Sequence, residues 1–273
     1  MKSPPFDYAR PTSLGEAVAL LAAKAGEARL IAGGQSLLPM MNLRVAAPVL
    51  LIDIARLAEL AEVDEDADSV RLGAGVTHAM IEDGRVPDPS RGLMPLAAAS
   101  LAYRAVRNRG TIGGSLALAD PAAEWPTVMT ALGAELQLRG PNGERTVTCA
   151  DFITGIYATM LADDEVIESL RIPKLSAGAR WGYVKLCRKS GEFANALAAA
   201  IADPERGHAC VVLGAAEGAP LMLEDASRAL AEGRNDPAAV AADLDRAADR
   251  HFDAFQRRLH MVAATRVMQQ ATA

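Results

Sequence analysis

The chain has 273 residues, of which 51% are hydrophobic and 4% aromatic, and a formal net charge of −6. That length supports a sizeable core and two domains, and that composition excludes a disordered chain. No Lys/Arg block stands out, which argues against a nucleic-acid partner, and no run approaches the roughly 18 apolar residues of a membrane span.

In chain order, Met1 to Tyr8 carry no apolar h-region, so no secretory signal is expected. Ser13 is placed to cap a helix, with Glu16 at the capping-box spacing and helical residues from Ala17 to Lys24. Arg29 to Ala32 form a short apolar strand that runs into Gly33-Gly34. A short helix through Met41 and Arg44 follows, then a buried strand over Val49 to Asp53. These elements form a first subdomain over residues 1–55.

Asp64 to Asp68 is an acidic turn, and Val70 to Ala74 resumes as a strand. Thr77 is placed to cap a helix over Met80. Leu93 to Val106 is predicted as one Ala-rich helix. A second glycine loop, Gly110 to Ser115, precedes a helix whose first turn takes Pro121 and which runs through Leu132. Asn142-Gly143 between two strand-like runs, Glu135 to Arg139 and Thr146 to Cys149, signals a hairpin. Glu165 to Ile172 alternates like a strand and ends at Pro173. Leu175 to Ala179 has the composition of a linker, which places a domain boundary near residue 175. Beyond it, Trp181 to Leu186 and Cys210 to Ala215 are strands, and Pro237 to Gln270 is mainly helical.

The two glycine loops carry the chemistry. Each sits before a predicted helix, the first directly after a strand, where glycines let successive backbone N–H groups approach an anion without a Cβ in the way. Ser36, Thr111 and Ser115 add hydroxyls. Two such loops can clamp a pyrophosphate from both sides. Neither is a P-loop, and no complete G-x-G-x-x-G fingerprint of a Rossmann site is present. For Asp120 two readings stand, helix cap or ribose acceptor. Glu124 is either a first-turn charge that complements the helix dipole or a ribose acceptor. Lys185 is either a solvated charge on a strand or a cation beside a cofactor. His78 is either near a cofactor or, the favoured reading, a capped surface histidine, and Cys187 is expected as a small buried hydrophobe. The three cysteines lie far apart, form no Cys-x-x-Cys and fit a reducing, cytoplasmic setting.

Ala32-Gly33-Gly34-Gln35-Ser36-Leu37-Leu38-Pro39 and Thr111-Ile112-Gly113-Gly114-Ser115-Leu116, followed by Ala119-Asp120-Pro121-Ala122-Ala123-Glu124, resemble the two FAD loops of the medium subunit of aerobic carbon monoxide dehydrogenase. They resemble equally the flavin domains of xanthine dehydrogenase and other molybdenum hydroxylases. The similarity extends through Asp53, through Arg180 to Lys185, and through Arg188 to Ala194. It implies an α+β fold: a two-subdomain FAD-binding domain of the vanillyl-alcohol-oxidase (PCMH) type over residues 1–174, with subdomains 1–55 and 56–174. A C-terminal domain with a short antiparallel sheet and helices would cover residues 175–273.

The resemblance also implies a set of FAD contacts. These are Leu30, Ile31, Ala32, Gly33, Gly34, Gln35, Ser36 and Leu37 in the first loop and its flanks, and Gly110, Thr111, Ile112, Gly113, Gly114 and Ser115 in the second. The two loops would hold the pyrophosphate, with Asp120 close by. Glu124 would hold the adenosine ribose, Ile167 and Leu30 would pack near the flavin ring system, and Lys185 would lie near the isoalloxazine edge. Phe193 stands where some relatives carry Tyr, and Leu118 replaces a common polar residue. No histidine matches a covalent flavin linkage, so the FAD would be non-covalent. No catalytic acid, base, nucleophile or metal ligand is assigned to the chain itself.

The function implied is electron relay from iron–sulfur clusters to NAD, a quinone or another acceptor. Expected partners are a small [2Fe-2S] subunit and a large molybdopterin subunit, together a dimer of heterotrimers. Two other classes stay open at this point. One is a free-standing FAD oxidoreductase of the same fold, and the other is a non-redox nucleotide-binding or assembly protein.

Overall fold

Helix α1 (Leu14–Ala23) begins where Ser13 accepts the amide of Glu16 at 3.2 Å. The reciprocal half of the capping box does not form, because the Glu16 carboxylate turns to the amide and hydroxyl of Thr12. A computed structural model of the chain describes residues 2–24, 26–247, 250 and 252–273. Strands β1 (Asp7–Ala9), β2 (Ala28–Ile31) and β3 (Leu50–Asp53) form a parallel sheet in the order β1-β3-β2, and helix α2 (Leu37–Asn42) follows the first glycine loop. Strand β1 was not expected from the sequence. Its three residues carry no buried side chain, so no apolar alternation marks it.

The middle of the chain contributes a five-stranded antiparallel sheet. Its strands are β4 (Val63–Glu65), β5 (Ser69–Gly73), β6 (Glu135–Gly140), β7 (Gly143–Thr148) and β10 (Val166–Pro173), in the order β4-β5-β10-β6-β7. The predicted hairpin turn lies between β6 and β7. Helices α3 (His78–Glu82), α4 (Leu93–Ser100), α5 (Arg104–Arg107), α6 (Ile112–Leu118), α7 (Glu124–Ala131) and α8 (Cys149–Phe152) accompany this sheet, and β8 (Ile153–Gly155) pairs with β9 (Ala158–Thr159).

Two predicted helices here need correction. The single helix expected over Leu93 to Val106 is broken into α4 and α5, with Ala102 between them at φ +34°. The helix expected to take Pro121 into its first turn starts instead at Glu124. Asp120 holds the preceding turn by accepting the Ala122 amide at 2.9 Å.

Strands β11 (Arg180–Leu186), β12 (Ala196–Asp203), β13 (His208–Gly214) and β14 (Leu221–Met222) form an antiparallel sheet in chain order, with α9 (Glu224–Ala231), α10 (Pro237–Arg246) and α11 (Ala254–Thr272) after it. The helical tail expected from Pro237 to Gln270 is thus two helices, and its positions at Ala248, Asp249 and His251 lie outside the described residues, as does Met1. The expected linker is ordered, with the Leu175 amide donating to Pro89 O and the Ser176 amide to Asp203.

Strand β12 explains how the third sheet joins the rest. Leu197, Ala199 and Ile201 on one face belong to the main core, which also contains the buried Trp125 of α7. Ala196, Ala198 and Ala200 on the other face pack with α9, α10 and α11. Both faces are therefore buried, and small side chains let helices approach from each side. Among the described residues, no helix is long and apolar enough to cross a membrane.

Candidate functional site

The three parallel strands all point their C-terminal ends at one cavity of about 1290 Å³. Tyr8 and Arg10 stand at the end of β1, Ile31 and the first glycine loop at the end of β2, and Asp53 at the end of β3. Ligand crevices in open α/β sheets lie at this same edge. The cavity exceeds the roughly 300–1,000 Å³ of pockets for drug-sized ligands and has room for a dinucleotide.

The first loop presents unpaired donors. Among the described residues, none of the N–H groups of Gly33, Gly34, Gln35, Ser36 and Leu37 donates to a protein acceptor. Gly34 takes the left-handed φ of +71°, and Ser36 sits at φ −108°, ψ −49° with no side-chain cap bond. Successive N–H groups in mixed left- and right-handed conformations form a concave anion site. Gln35 Nε2 bridges back to Gly33 O at 2.9 Å and fixes the loop's shape.

The second loop is built differently. The Ile112 and Gly113 amides donate to Val76 O and Ala74 O, both at 3.0 Å, and the His78 amide donates to Gly110 O at 3.0 Å. Thr111 caps α6 by accepting the Gly114 amide at 3.1 Å, and the Ser115 amide donates to Thr111 O. The expectation that both loops offer a run of backbone donors is therefore corrected, because the Ile112 and Gly113 amides stitch the loop to residues 74–76 and the Gly114 and Ser115 amides are spent on Thr111. What the second loop presents is side-chain hydroxyls, those of Thr111 and Ser115.

Gly33 and Gly113 serve a packing purpose that was not expected. A Cβ on Gly33 would meet the carbonyl of Arg109 and stand 2.8 Å from Gly110 Cα. Its hydrogen faces the second loop, so Gly33 is the point where the loops touch. A Cβ on Gly113 would collide with Ala74.

All the sequence-predicted contacts line the cavity except Ile112, whose side chain is fully buried in the main core. Glu124 and Lys185 meet there. Lys185 Nζ lies 2.5 Å from Glu124 Oε1 and donates to Ser100 O at 3.0 Å, and both side chains are buried. Burial raises the Glu124 carboxyl above its usual range, and the Lys185 charge opposes that rise. The two residues therefore form one unit at a single place on the cavity wall.

Asp120 accepts from Tyr157 Oη at 3.1 Å, and Tyr157 holds a left-handed φ of +52°. His78 overturns the surface reading: it is buried and lines the cavity, with Nδ1 accepting from Trp125 Nε1 at 3.0 Å. Desolvation pushes its pKa down to about 4. Cys187 is half-buried and not a core residue. Sequence reasoning missed Tyr8, Arg56, Leu101, Ala102, Arg109 and Tyr157, which also line the cavity. Only Tyr8 left a usable signal, an aromatic residue four positions before the Thr12-Ser13 helix start.

The chain matches the model of the FAD binding domain in molybdopterin dehydrogenase over residues 4–175. It is 43% identical over 196 residues to the carbon monoxide dehydrogenase medium chain of Hydrogenophaga pseudoflava, covering 72% of this chain and 68% of that one. It is 38% identical over 233 residues to the nicotine 6-hydroxylase medium subunit of Paenarthrobacter nicotinovorans, covering 84% and 81%. The solved structure of carbon monoxide dehydrogenase from H. pseudoflava lacking the Mo-pyranopterin moiety superimposes with a TM-score of 0.91 at 36% identity, covering 99% of this chain and 98% of that chain. With these identities and this coverage, the chain belongs to the FAD-binding medium subunits of the molybdenum hydroxylases, flavoprotein components of multi-subunit dehydrogenases.

Proposed function

We propose that the cavity holds FAD without a covalent bond and that the chain relays electrons inside a molybdenum hydroxylase. The observation that carries this reading is the run of unpaired N–H groups from Gly33 to Leu37, facing a cavity that Thr111 and Ser115 also line. Such donors fit a pyrophosphate. FAD, when bound, supplies the capacity to take up and release electrons, while the protein binds, orients and tunes it.

Each residue has a part in that scheme. Leu30, Ile31, Ala32 and Ile167 give apolar surface to the ring system. Gly33, Gly34, Gln35, Ser36 and Leu37 hold the pyrophosphate with the hydroxyls of Thr111 and Ser115, and Gly114 keeps the space between those hydroxyls free of a side chain. Gly110 and Gly113 let the second loop sit close enough to do so. Asp120 and the Glu124–Lys185 unit take the ribose hydroxyls, with Lys185 assigned here to the sugar and not to the isoalloxazine edge. Residues 1–174 form the FAD-binding domain, with subdomains 1–55 and 56–174, and residues 175–273 the C-terminal domain.

Electrons arrive from a small [2Fe-2S] subunit, which takes them from a large molybdopterin subunit, in a dimer of heterotrimers in the cytoplasm. They leave to NAD, a quinone or another acceptor. The exposed apolar side chains of Leu38, Leu43, Val45 and Val49, beside the first loop, support a partner surface there.

Two measurements test the reading. Acid precipitation of the purified, FAD-loaded chain should release a yellow supernatant, and flavin held in the pellet would overturn the non-covalent assignment. In stepwise reconstitution, substrate should reduce the flavin only when both partner subunits are present. Reduction by substrate with this chain alone would make it a free-standing oxidoreductase.

A further inference from the structure

Three successive carbonyls, two of them from the cavity-lining Leu101 and Ala102, are held by two cations. Lys185 Nζ donates to Ser100 O at 3.0 Å, and Arg107 Nη1 donates to Leu101 O at 2.7 Å and Ala102 O at 3.1 Å. Each cation is paired with a carboxylate, and Glu82 also accepts from Arg104 Nη1 at 2.8 Å. Glu124 serves Lys185, and Glu82 grips Arg107 in a two-point contact, Nε to Oε2 at 2.8 Å and Nη2 to Oε1 at 2.9 Å. The Arg107 side chain is 12% exposed and that of Glu82 18%.

The position of this clamp is informative. These carbonyls belong to the last residue of α4 and the first two of the break between α4 and α5, residues 101–103, where a chain leaves helical carbonyls without intrahelical partners. Ala102 sits at φ +34°, which is strained for a residue with a Cβ. Against it lies Gly191, at φ +84°, where a Cβ would stand 2.7 Å from Ala102 O. Gly191, within the segment from Cys187 to Asn195, thus packs directly on the backbone of Ala102. That segment brings Glu192 and the exposed Phe193 to the cavity.

We propose that Arg107 and Glu82 are positioning residues for the cavity mouth. They fix the carbonyls of Leu101 and Ala102 and so the seat of the segment that carries Phe193 over the bound ligand. The ligand half of this proposal rests on the FAD reading above. A partly buried ion pair contributes little net stability, because desolvation offsets its attraction. The planar guanidinium supplies geometry instead, with donors in a fixed fork that a lysine lacks.

The test uses the full chain, first without FAD. Glu82→Gln and Arg107→Lys should each raise amide hydrogen exchange in residues 100–102 and 187–195 by about tenfold while the core strands stay protected. Gly191→Ala, approaching from the other side, should give the same pattern, and combined with Arg107→Lys it should add less than its single effect. With FAD added, iodide should quench the flavin fluorescence of these variants more strongly than that of the wild type. Exchange in 187–195 that is unchanged, that rises equally over the whole chain, or that adds fully in the double variant overturns the proposal. So does flavin quenching equal to that of the wild type. Wild-type protein that binds no FAD would defeat the functional reading alone, since the exchange comparison does not depend on it.

Discussion

Lys185 on β11 and Glu124 at the start of α7 meet 2.5 Å apart, and this pair ties the third sheet to the wall of the cavity. Removing one partner leaves the other charge buried and uncompensated, at a cost of about 3–5 kcal/mol. Lys185→Met should therefore destabilise the apo-protein by that order in urea unfolding, and it should raise the Glu124 carboxyl further by deleting the charge that now opposes desolvation. Adding Glu124→Gln to Lys185→Met removes the stranded charge, so the double variant is expected to recover much of the loss. A double variant no better than Lys185→Met would show that the pair is not coupled.

His78 gives a pH dependence with a definite sign. Burial lowers its folded pKa from 6.5 to about 4, so the unfolded chain binds a proton that the folded chain refuses between those values. The stabilising contribution of neutral His78 is full above pH 6.5 and is lost as pH falls toward 4, about 3 kcal/mol in all. His78→Gln keeps an acceptor for the Trp125 indole and removes the titration. Between pH 7 and 4 the wild type should lose more stability than this variant, as measured by urea midpoints at each pH. Parallel losses in the two proteins would refute the assignment.

Arg44 offers a simpler prediction. It follows α2 at φ +60°, and the Val45 amide reaches back to Met40 O at 2.9 Å, the pattern of a left-handed helix stop. Glycine takes that conformation without steric cost, and Arg44 is exposed. Arg44→Gly should raise the apo-protein's stability by about 1 kcal/mol, read as a higher thermal midpoint. A lower midpoint would mean that the arginine side chain contributes more than the backbone strain removes.

Local chemistry was legible in the sequence where a residue type has one main structural use. Ser13 and Thr77 cap the helices they were expected to cap, and the hairpin signalled by Asn142-Gly143 formed, with its turn one residue earlier, at Pro141-Asn142. Both glycine loops came to one cavity, although which way their backbone donors point was not legible. That depends on Val76 and Ala74, which accept the second loop's amides from a separate segment. Strand β12 was missed because Ala-Leu-Ala-Ala-Ala-Ile favours helix by intrinsic propensity, and only burial between two cores makes it a strand. The break at Ala102 was missed for a similar reason. Its carbonyls are satisfied by Arg107, and no local signal announces that a side chain will replace the helix ladder.

The glycines of the two loops separate folding from binding. Gly33 faces backbone: a methyl there would press on the Arg109 carbonyl and on Gly110 Cα, so Gly33→Ala must push the loops apart. It should lower both the thermal midpoint of the apo-protein and its affinity for FAD. Gly114 sits in the first turn of α6, lines the cavity, and a Cβ there would have Thr111 Oγ1 as its nearest contact at 2.9 Å. Alanine gains about 1 kcal/mol of helix propensity there, and strain on the Thr111 cap takes back a similar amount. Gly114→Ala should therefore leave the apo-protein's midpoint nearly unchanged while weakening FAD at least about tenfold, a loss of ~1.4 kcal/mol in binding. The paired measurement is FAD affinity by fluorescence titration and thermal unfolding of the same apo samples. Full affinity in Gly114→Ala would remove the second loop from the ligand's surroundings. Full affinity in Gly33→Ala, with a lowered midpoint, would show that contact between the loops serves the fold alone.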